Sequence, residues 1–376
     1  MNSMDSSELA PFAALQEHSY ASSKSAQLTR SYDGNDGSHR NLYTNFKSFS
    51  WLVWHIRILV IALNGSELSD NSTPLNSMYN NNDPQPSPTI YTQKHLDDVP
   101  FSVNETLLRS SIYIPSGFEY GQGNKTPILL VPGTGISGGS TYANTIGKLL
   151  QRTTYADPVW LNIPGDSLGD IQVNSEYVAY AINYISSVSG NRNLSIVSWS
   201  QGAINVHWSF MYWPSTRQAI SDFVALSPDF KGTILASLLC SSLTPPALCV
   251  PSIIQQKSSS NFISLFSSNG GREAFVPTTT IYSSSDEIVQ PQDGTNASGY
   301  IEDPKAVVLH EGILYNAVAW ALIQDGITHP GPGKSSRLKN MKELCWAESL
   351  LIQALAHVAL YIPKTISEPE KASYVI

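Results

Sequence analysis

One ten-residue stretch limits what this chain can fold into: Leu194-Ser195-Ile196-Val197-Ser198-Trp199-Ser200-Gln201-Gly202-Ala203. A strand-like apolar run ends at Ser198-Trp199. A helix-like pattern then begins after Gly202, with Ile204, Val206, Trp208, Phe210 and Met211 spread over about three turns. Ser200 therefore sits at a strand-to-helix corner. A sharp turn there pushes the serine hydroxyl above the edge of a sheet, and the following helix aims its N-terminus at the same place. Corners of this kind usually read G-x-S-x-G. Here Ser198 replaces the first glycine, a side chain short enough to fit beneath the turn, and Gly202 keeps the second.

The rest of the chain supplies the sheet such a corner needs. Strand-like and helix-like segments alternate, the pattern of a largely parallel sheet with flanking helices. Residues 126–131 (TPILLV), 159–163, 194–199, 222–226, 278–283 and 306–309 read as strands. Residues 141–152 read as a helix, 173–188 as an amphipathic helix stopping at Gly190, and the residues after Gly202 to about Tyr212 as the helix before Pro214. A long amphipathic helix is predicted over residues 338–361, after the Pro330-to-Gly333 break. The fold class is α/β, and residues 91–376 form its domain.

Residues 1–90 read as a disordered or precursor segment. They are polar and rich in Ser, Asn and Pro, apart from the apolar stretch at 51–63. That stretch is interrupted by His55 and Arg57 and is shorter than the ~20 residues of a membrane span. Three readings stay open for it: a cleaved signal behind a long n-region, a gene start placed too early, or a membrane anchor or interfacial helix. Six N-x-S/T triplets begin at Asn64, Asn71, Asn104, Asn124, Asn193 and Asn296 and favour a secreted glycoprotein. The three cysteines are too few for a disulfide scaffold, but Cys240 and Cys249 are near enough to pair, leaving Cys345 as a buried free thiol. A net charge of −8, with no basic block interleaved by aromatics, argues against nucleic acid.

A serine becomes nucleophilic when a histidine takes its proton and a carboxylate orients that histidine. Of the eight histidines, only His310 ends a predicted sheet strand downstream of Ser200; His207 falls on a packed helix face. In the chain order Ser, acid, His, Asp286 lies just beyond the strand at 278–283 and is favoured, with Glu287 beside it. Asp229 is the rival and otherwise lines the pocket; Asp222 precedes its strand and lies at the wrong edge. The oxyanion needs preorganised donors. The N–H of Gln201 is one, and Pro132-Gly133-Thr134-Gly135 offers another through the N–H and hydroxyl of Thr134. No HExxH, CxxC or P-loop occurs, so neither a metal site nor a cofactor is expected.

These residues resemble the fungal lipase B family of the α/β-hydrolase superfamily. The likeness runs through ILLVPGTG at 128–135, QVNSEY at 172–177, SWSQG at 198–202, SPDFKGT at 227–233 and YSSSDEIVQP at 282–291, and is looser beyond residue 310. It implies an α/β-hydrolase fold with a small helical or loop cap and a Ser200, Asp286, His310 triad. It also implies an oxyanion hole at Thr134 and Gln201, and a substrate cleft lined by Trp199, Asp229, Gln256, Ile288 and Val289. The family also carries a residue other than glycine at the position of Ser198. It departs from this chain in its three disulfides, in a small residue where Glu311 stands, and in a longer region after the histidine.

The expected activity is cleavage of carboxylic esters, as a lipase or carboxylesterase. The partners are a lipid or small ester and, transiently, a lipid surface; the chain is expected to act as a monomer. The apolar segment around residues 235–251 is expected to help cover the site. The alternatives are an esterase or acyltransferase of secondary metabolism with a narrow pocket, and a catalytically silent binding module.

Overall fold

The structure, a computed structural model, describes residues 73–82, 85–240, 249–301 and 312–339. The expected strand at 306–309, His310, the apolar stretch at 51–63, Cys345, and all but the first two residues of the helix expected at 338–361 lie outside them. Among the described residues, six strands form one sheet: β1 (Ile112–Tyr113), β2 (Thr126–Val131), β3 (Ala156–Leu161), β4 (Leu194–Trp199), β5 (Ile220–Leu226) and β6 (Thr278–Ile281). Their spatial order is β1-β3-β2-β4-β5-β6. Only β1 runs antiparallel to its neighbour.

The burial of the strands agrees with this order. Every residue of β3 and β4 is buried, as expected where helices cover both faces of a parallel sheet. After β2 the chain moves to β3 on one side, then returns to β4 on the other. The crevice beyond the C-terminal ends of β2 and β4 is thus the topological switch point, where open α/β sheets bind ligands. The sequence places Pro132–Gly135 and Ser200 on its two walls.

The described helices are α1 (Glu105–Ser110), α2 (Gly138–Tyr142), α3 (Ile146–Gln151), α4 (Ile171–Val188), α5 (Gly202–Tyr212), α6 (Ile234–Leu239), α7 (Pro251–Gln255), α8 (Asn261–Ser268) and α9 (Ala317–Thr328). α4 packs on α5 and β2, α3 on β3, and α9 on β5.

Three expectations change. The single helix read over 141–152 is two, because Thr145 adopts φ −121°, ψ −127°, and the approach at Gly147 is so close that a Cβ there would lie 2.6 Å from the Tyr142 carbonyl oxygen. α4 is not amphipathic toward solvent, since Asn174 through Ser186 are all buried. Its Glu176 carboxylate accepts the backbone N–H of Ser102 at 2.7 Å and of Val103 at 2.9 Å. Asp222 does not precede its strand but lies within β5, opposite Ser195 and four residues short of the strand's end at Leu226, so it stays away from the edge of the sheet that carries Ser200.

The packed body also includes residues ahead of Tyr91. The Asn82 amide donates to the carbonyls of Arg109 (2.7 Å) and Ile112 (2.8 Å), and Trp160 Nε1 donates to the Leu75 carbonyl at 2.9 Å. Cys240 and Cys249 form a disulfide joining the end of α6 to the residues before α7. Of the triplet asparagines, Asn104, Asn124, Asn193 and Asn296 are exposed, while Asn64 and Asn71 fall outside the described residues.

Candidate active site

The corner after β4 is formed as the sequence predicts. Ser200 has φ +54°, a left-handed conformation that costs an L-residue free energy and persists only where packing fixes it. Its N–H donates to the Leu226 carbonyl at 2.9 Å, and its own carbonyl accepts the Ala203 N–H at 2.9 Å as α5 begins. Ser200 is therefore tied to β5 on one side and to a helix N-terminus on the other. Gly202 is required by close packing: a Cβ there would lie 2.6 Å from the carbonyl oxygens of both Val131 and Pro132. Ser198 is wholly buried, and its hydroxyl has no hydrogen-bond partner among the described residues.

The loop after β2 presses against this corner. A Cβ on Gly133 would come 3.0 Å from Ser200 Cβ and 3.1 Å from the Trp199 ring, so Gly133 lets the backbone pass and delivers Thr134 beside the serine. Thr134 Oγ1 donates to Gln201 Oε1 at 2.7 Å and accepts from Gln256 Nε2 at 3.1 Å. Gln256 Nε2 also reaches Gln201 Oε1 at 2.9 Å, and Gln201 Nε2 donates to the Ser167 carbonyl at 3.0 Å. Both glutamines are buried. Gln201 opens α5, where the first amides have no intrahelical acceptor and favour negative charge. The structure thus brings Thr134, Gln201 and Gln256 together around Ser200.

Asp286 lies five residues beyond β6, on the same rim as Ser200 with β5 between them. Neighbouring strands are about 4.8 Å apart, so β4 and β6 stand roughly 10 Å apart at this rim. The Asp286 carboxyl is 1 % exposed, and its Oδ1 accepts the N–H groups of Ile288 (2.9 Å) and Val289 (2.8 Å). The backbone at Ile288 and Val289 is therefore held by the Asp286 carboxylate. Asp229 is fully buried on the loop after β5, and Trp199 ends β4. His310 and Glu311 lie outside the described residues. His207 is buried among Phe210, Phe230, Phe266 and Phe275, as its helix position implies.

No family model matches the chain. Lipase B of Pseudozyma antarctica is 40 % identical over 166 residues, 44 % of this chain and 47 % of that protein; the chain spans about half the length of this curated relative. The crystal structure of Aspergillus fumigatus lipase B is similar at TM-score 0.70 and 36 % identity, covering 95 % of this chain and 93 % of that one. The chain belongs to the lipase B family. Its sheet and corner are those of an α/β-hydrolase.

Within this lipase B member, two contributors to the site escape a reading of motifs. Ser167, at φ +61°, supplies the carbonyl that holds the Gln201 side chain and is itself fixed by Asn174 Nδ2 at 3.0 Å. Thr233 ties the loop carrying Asp286 to α6 through its hydroxyl. Ser167 stands five residues before the matching stretch QVNSEY and Thr233 closes the stretch SPDFKGT, but nothing in residue type separates them from ordinary turn residues. The segment expected to cover the site is mixed: Leu235 is buried, whereas Ile234 and Leu238 are exposed on one face of α6. Residues 241–248 lie outside the described ones.

Proposed function

We propose that this lipase B relative hydrolyses carboxylic esters by acyl transfer through Ser200. The observation that carries the reading is the left-handed serine at the switch point, flanked by the Thr134, Gln201 and Gln256 network. Ser200 Oγ attacks the ester carbonyl as His310 takes its proton, and Asp286 stabilises the imidazolium. The oxyanion is held by the N–H of Gln201 and by the N–H and hydroxyl of Thr134. Collapse returns the proton to the leaving alcohol; water, activated in the same way, then releases the acid. Trp199, Asp229, Ile288 and Val289 line the cleft. No metal, cofactor or nucleic acid takes part, and the chain acts as a monomer.

A lipid substrate is supported by Ile234, Leu238 and Ile254, which leave an exposed apolar face on the adjoining helices α6 and α7. Secretion is supported by the Cys240–Cys249 bond, which suits an oxidising compartment, and by the four exposed triplet asparagines, which suit glycosylation. No described helix is long and apolar enough to cross a membrane. The test is hydrolysis of p-nitrophenyl butyrate and of emulsified triglyceride by the wild type and Ser200→Ala. The variant should lose at least roughly a thousandfold in kcat. A variant as active as the wild type overturns the reading, and activity confined to the soluble ester selects an esterase over a lipase.

A further inference from the structure

Thr233 occupies the N-cap of α6, where a threonine oxygen ordinarily does no more than accept an amide of the first helical turn. It does so here, from Leu235 at 3.2 Å. That is the longest of its three bonds. The shortest, at 2.6 Å, is a donation to the Ile288 carbonyl, and the third accepts the Gln290 N–H at 3.1 Å. A hydroxyl has one hydrogen and two lone pairs, so all three capacities are used. Two of the three serve the acid loop rather than the helix.

That loop is the one built on Asp286. Its carboxylate holds the amides of Ile288 and Val289, while the Thr233 hydroxyl holds the Ile288 carbonyl and the Gln290 amide. The same turn is gripped from both sides. A further bond from the Ile234 N–H to the Gln290 carbonyl at 3.0 Å closes the contact. On its other side the Thr233 N–H donates to the Gln256 carbonyl at 2.8 Å, and the Gln256 side chain reaches Thr134 and Gln201. Thr233 is 4 % exposed, so water does not substitute for any of these bonds.

We propose that Thr233 is a positioning residue, whose hydroxyl fixes the loop carrying Asp286 relative to the oxyanion side of the site. The proposal rests on the assignment of Ser200 as nucleophile and Asp286 as acid. Removing the hydroxyl leaves two backbone groups of the acid loop without their partner. The loop then shifts, and a displacement near 1 Å in a catalytic array can cost up to about a hundredfold in rate.

The test compares the wild type with Thr233→Val, which keeps shape and loses the hydroxyl, and Thr233→Ser, which restores it. On p-nitrophenyl butyrate, well below the melting temperature, Thr233→Val should lower kcat by about tenfold or more with KM changed less than about twofold. Thr233→Ser should recover most of the loss. In an Asp286→Asn background, followed by the rate of phosphonate labelling, Thr233→Val should cost less than about twofold, because residues acting through one another are not additive. Should Thr233→Val fail to fold, hydrogen exchange of the wild type decides: the Gln290 amide should be protected like core amides. A Thr233→Val variant with wild-type kcat, a full loss persisting without Asp286, or a Gln290 amide that exchanges like an exposed loop overturns the proposal. A wild type that hydrolyses no ester defeats instead the reading on which it rests.

Discussion

Thr134 Oγ1 donates its hydrogen to Gln201 Oε1 at 2.7 Å, so the hydroxyl expected to meet the oxyanion is already held beside the amide expected to share it. To meet an oxyanion that single hydrogen has to turn from Gln201, whose Oε1 still accepts from Gln256 Nε2 at 2.9 Å. Because a full negative charge on the substrate oxygen develops only in the transition state, the effect of that donor should fall on the chemical step. Thr134→Val should lower kcat on a p-nitrophenyl ester by about a hundredfold and leave KM nearly unchanged. A loss confined to KM would show that the hydroxyl binds substrate without stabilising the transition state.

The two small residues flanking Ser200 should respond in opposite ways. Gly202→Ala places a methyl 2.6 Å from two backbone carbonyl oxygens, which cannot rotate aside, and should destabilise by about 1–3 kcal/mol. Ser198→Ala removes a buried hydroxyl that has no partner among the described residues, and should be neutral or stabilising by up to about 1 kcal/mol. Urea midpoints at unchanged m-value measure both.

The Cys240–Cys249 bond closes a sequence separation of 9 and should contribute about 2–3 kcal/mol by restricting the unfolded chain. The Cys240→Ser, Cys249→Ser double variant should lose that much in urea unfolding. Iodoacetamide should tag Cys345 alone in the denatured, unreduced chain, and all 3 cysteines after reduction.

Two buried groups set opposing pH dependences. Burial among the phenylalanines lowers His207 from 6.5 to about 4; the backbone at Gly270 and Glu273 offsets part of the shift, and Arg217 adds to it. The folded state therefore holds His207 neutral. Its contribution is complete above about pH 6.5 and declines as pH falls toward about 4, by roughly 3 kcal/mol in total. Burial raises Asp222 from 3.8 to about 7, against the pull of Arg337. Here the folded state keeps a proton that the unfolded chain releases, so stability is lost as pH rises from about 3.8 to about 7. Asp222→Asn should thus match the wild type near pH 4 and exceed it at pH 8 in urea titrations. An equal gain at both pH values would show that the carboxyl does not titrate over this range.

The corner was legible because it depends on local rules. The strand ends at Trp199 and the helix spans Gly202–Tyr212, within a residue of what their periodicities predict, and Gly202 stands where the carbonyls of Val131 and Pro132 crowd it. What escaped the sequence depends on distant partners. The break in residues 138–151 comes from packing at Gly147 against Tyr142. Glu176 and Asn183 are polar residues that an amphipathic helix would turn to solvent, yet each is buried, with Glu176 holding Ser102 and Val103 and Asn183 meeting Lys94 and Ser215. The asparagines near residue 80 suggest a linker by composition; in the fold they donate to carbonyls around α1 that would otherwise lie open. Thr233 is of the same kind: its residue type announces a helix cap and says nothing about the acid loop.

The most direct test is the site of covalent modification. Incubation with a p-nitrophenyl alkylphosphonate, followed by peptide mass spectrometry, should show one phosphonyl group per chain, on the Ser200 peptide, formed at the rate at which ester hydrolysis disappears. An adduct on another residue, or full ester hydrolysis in a protein carrying the group on Ser200, would contradict the account.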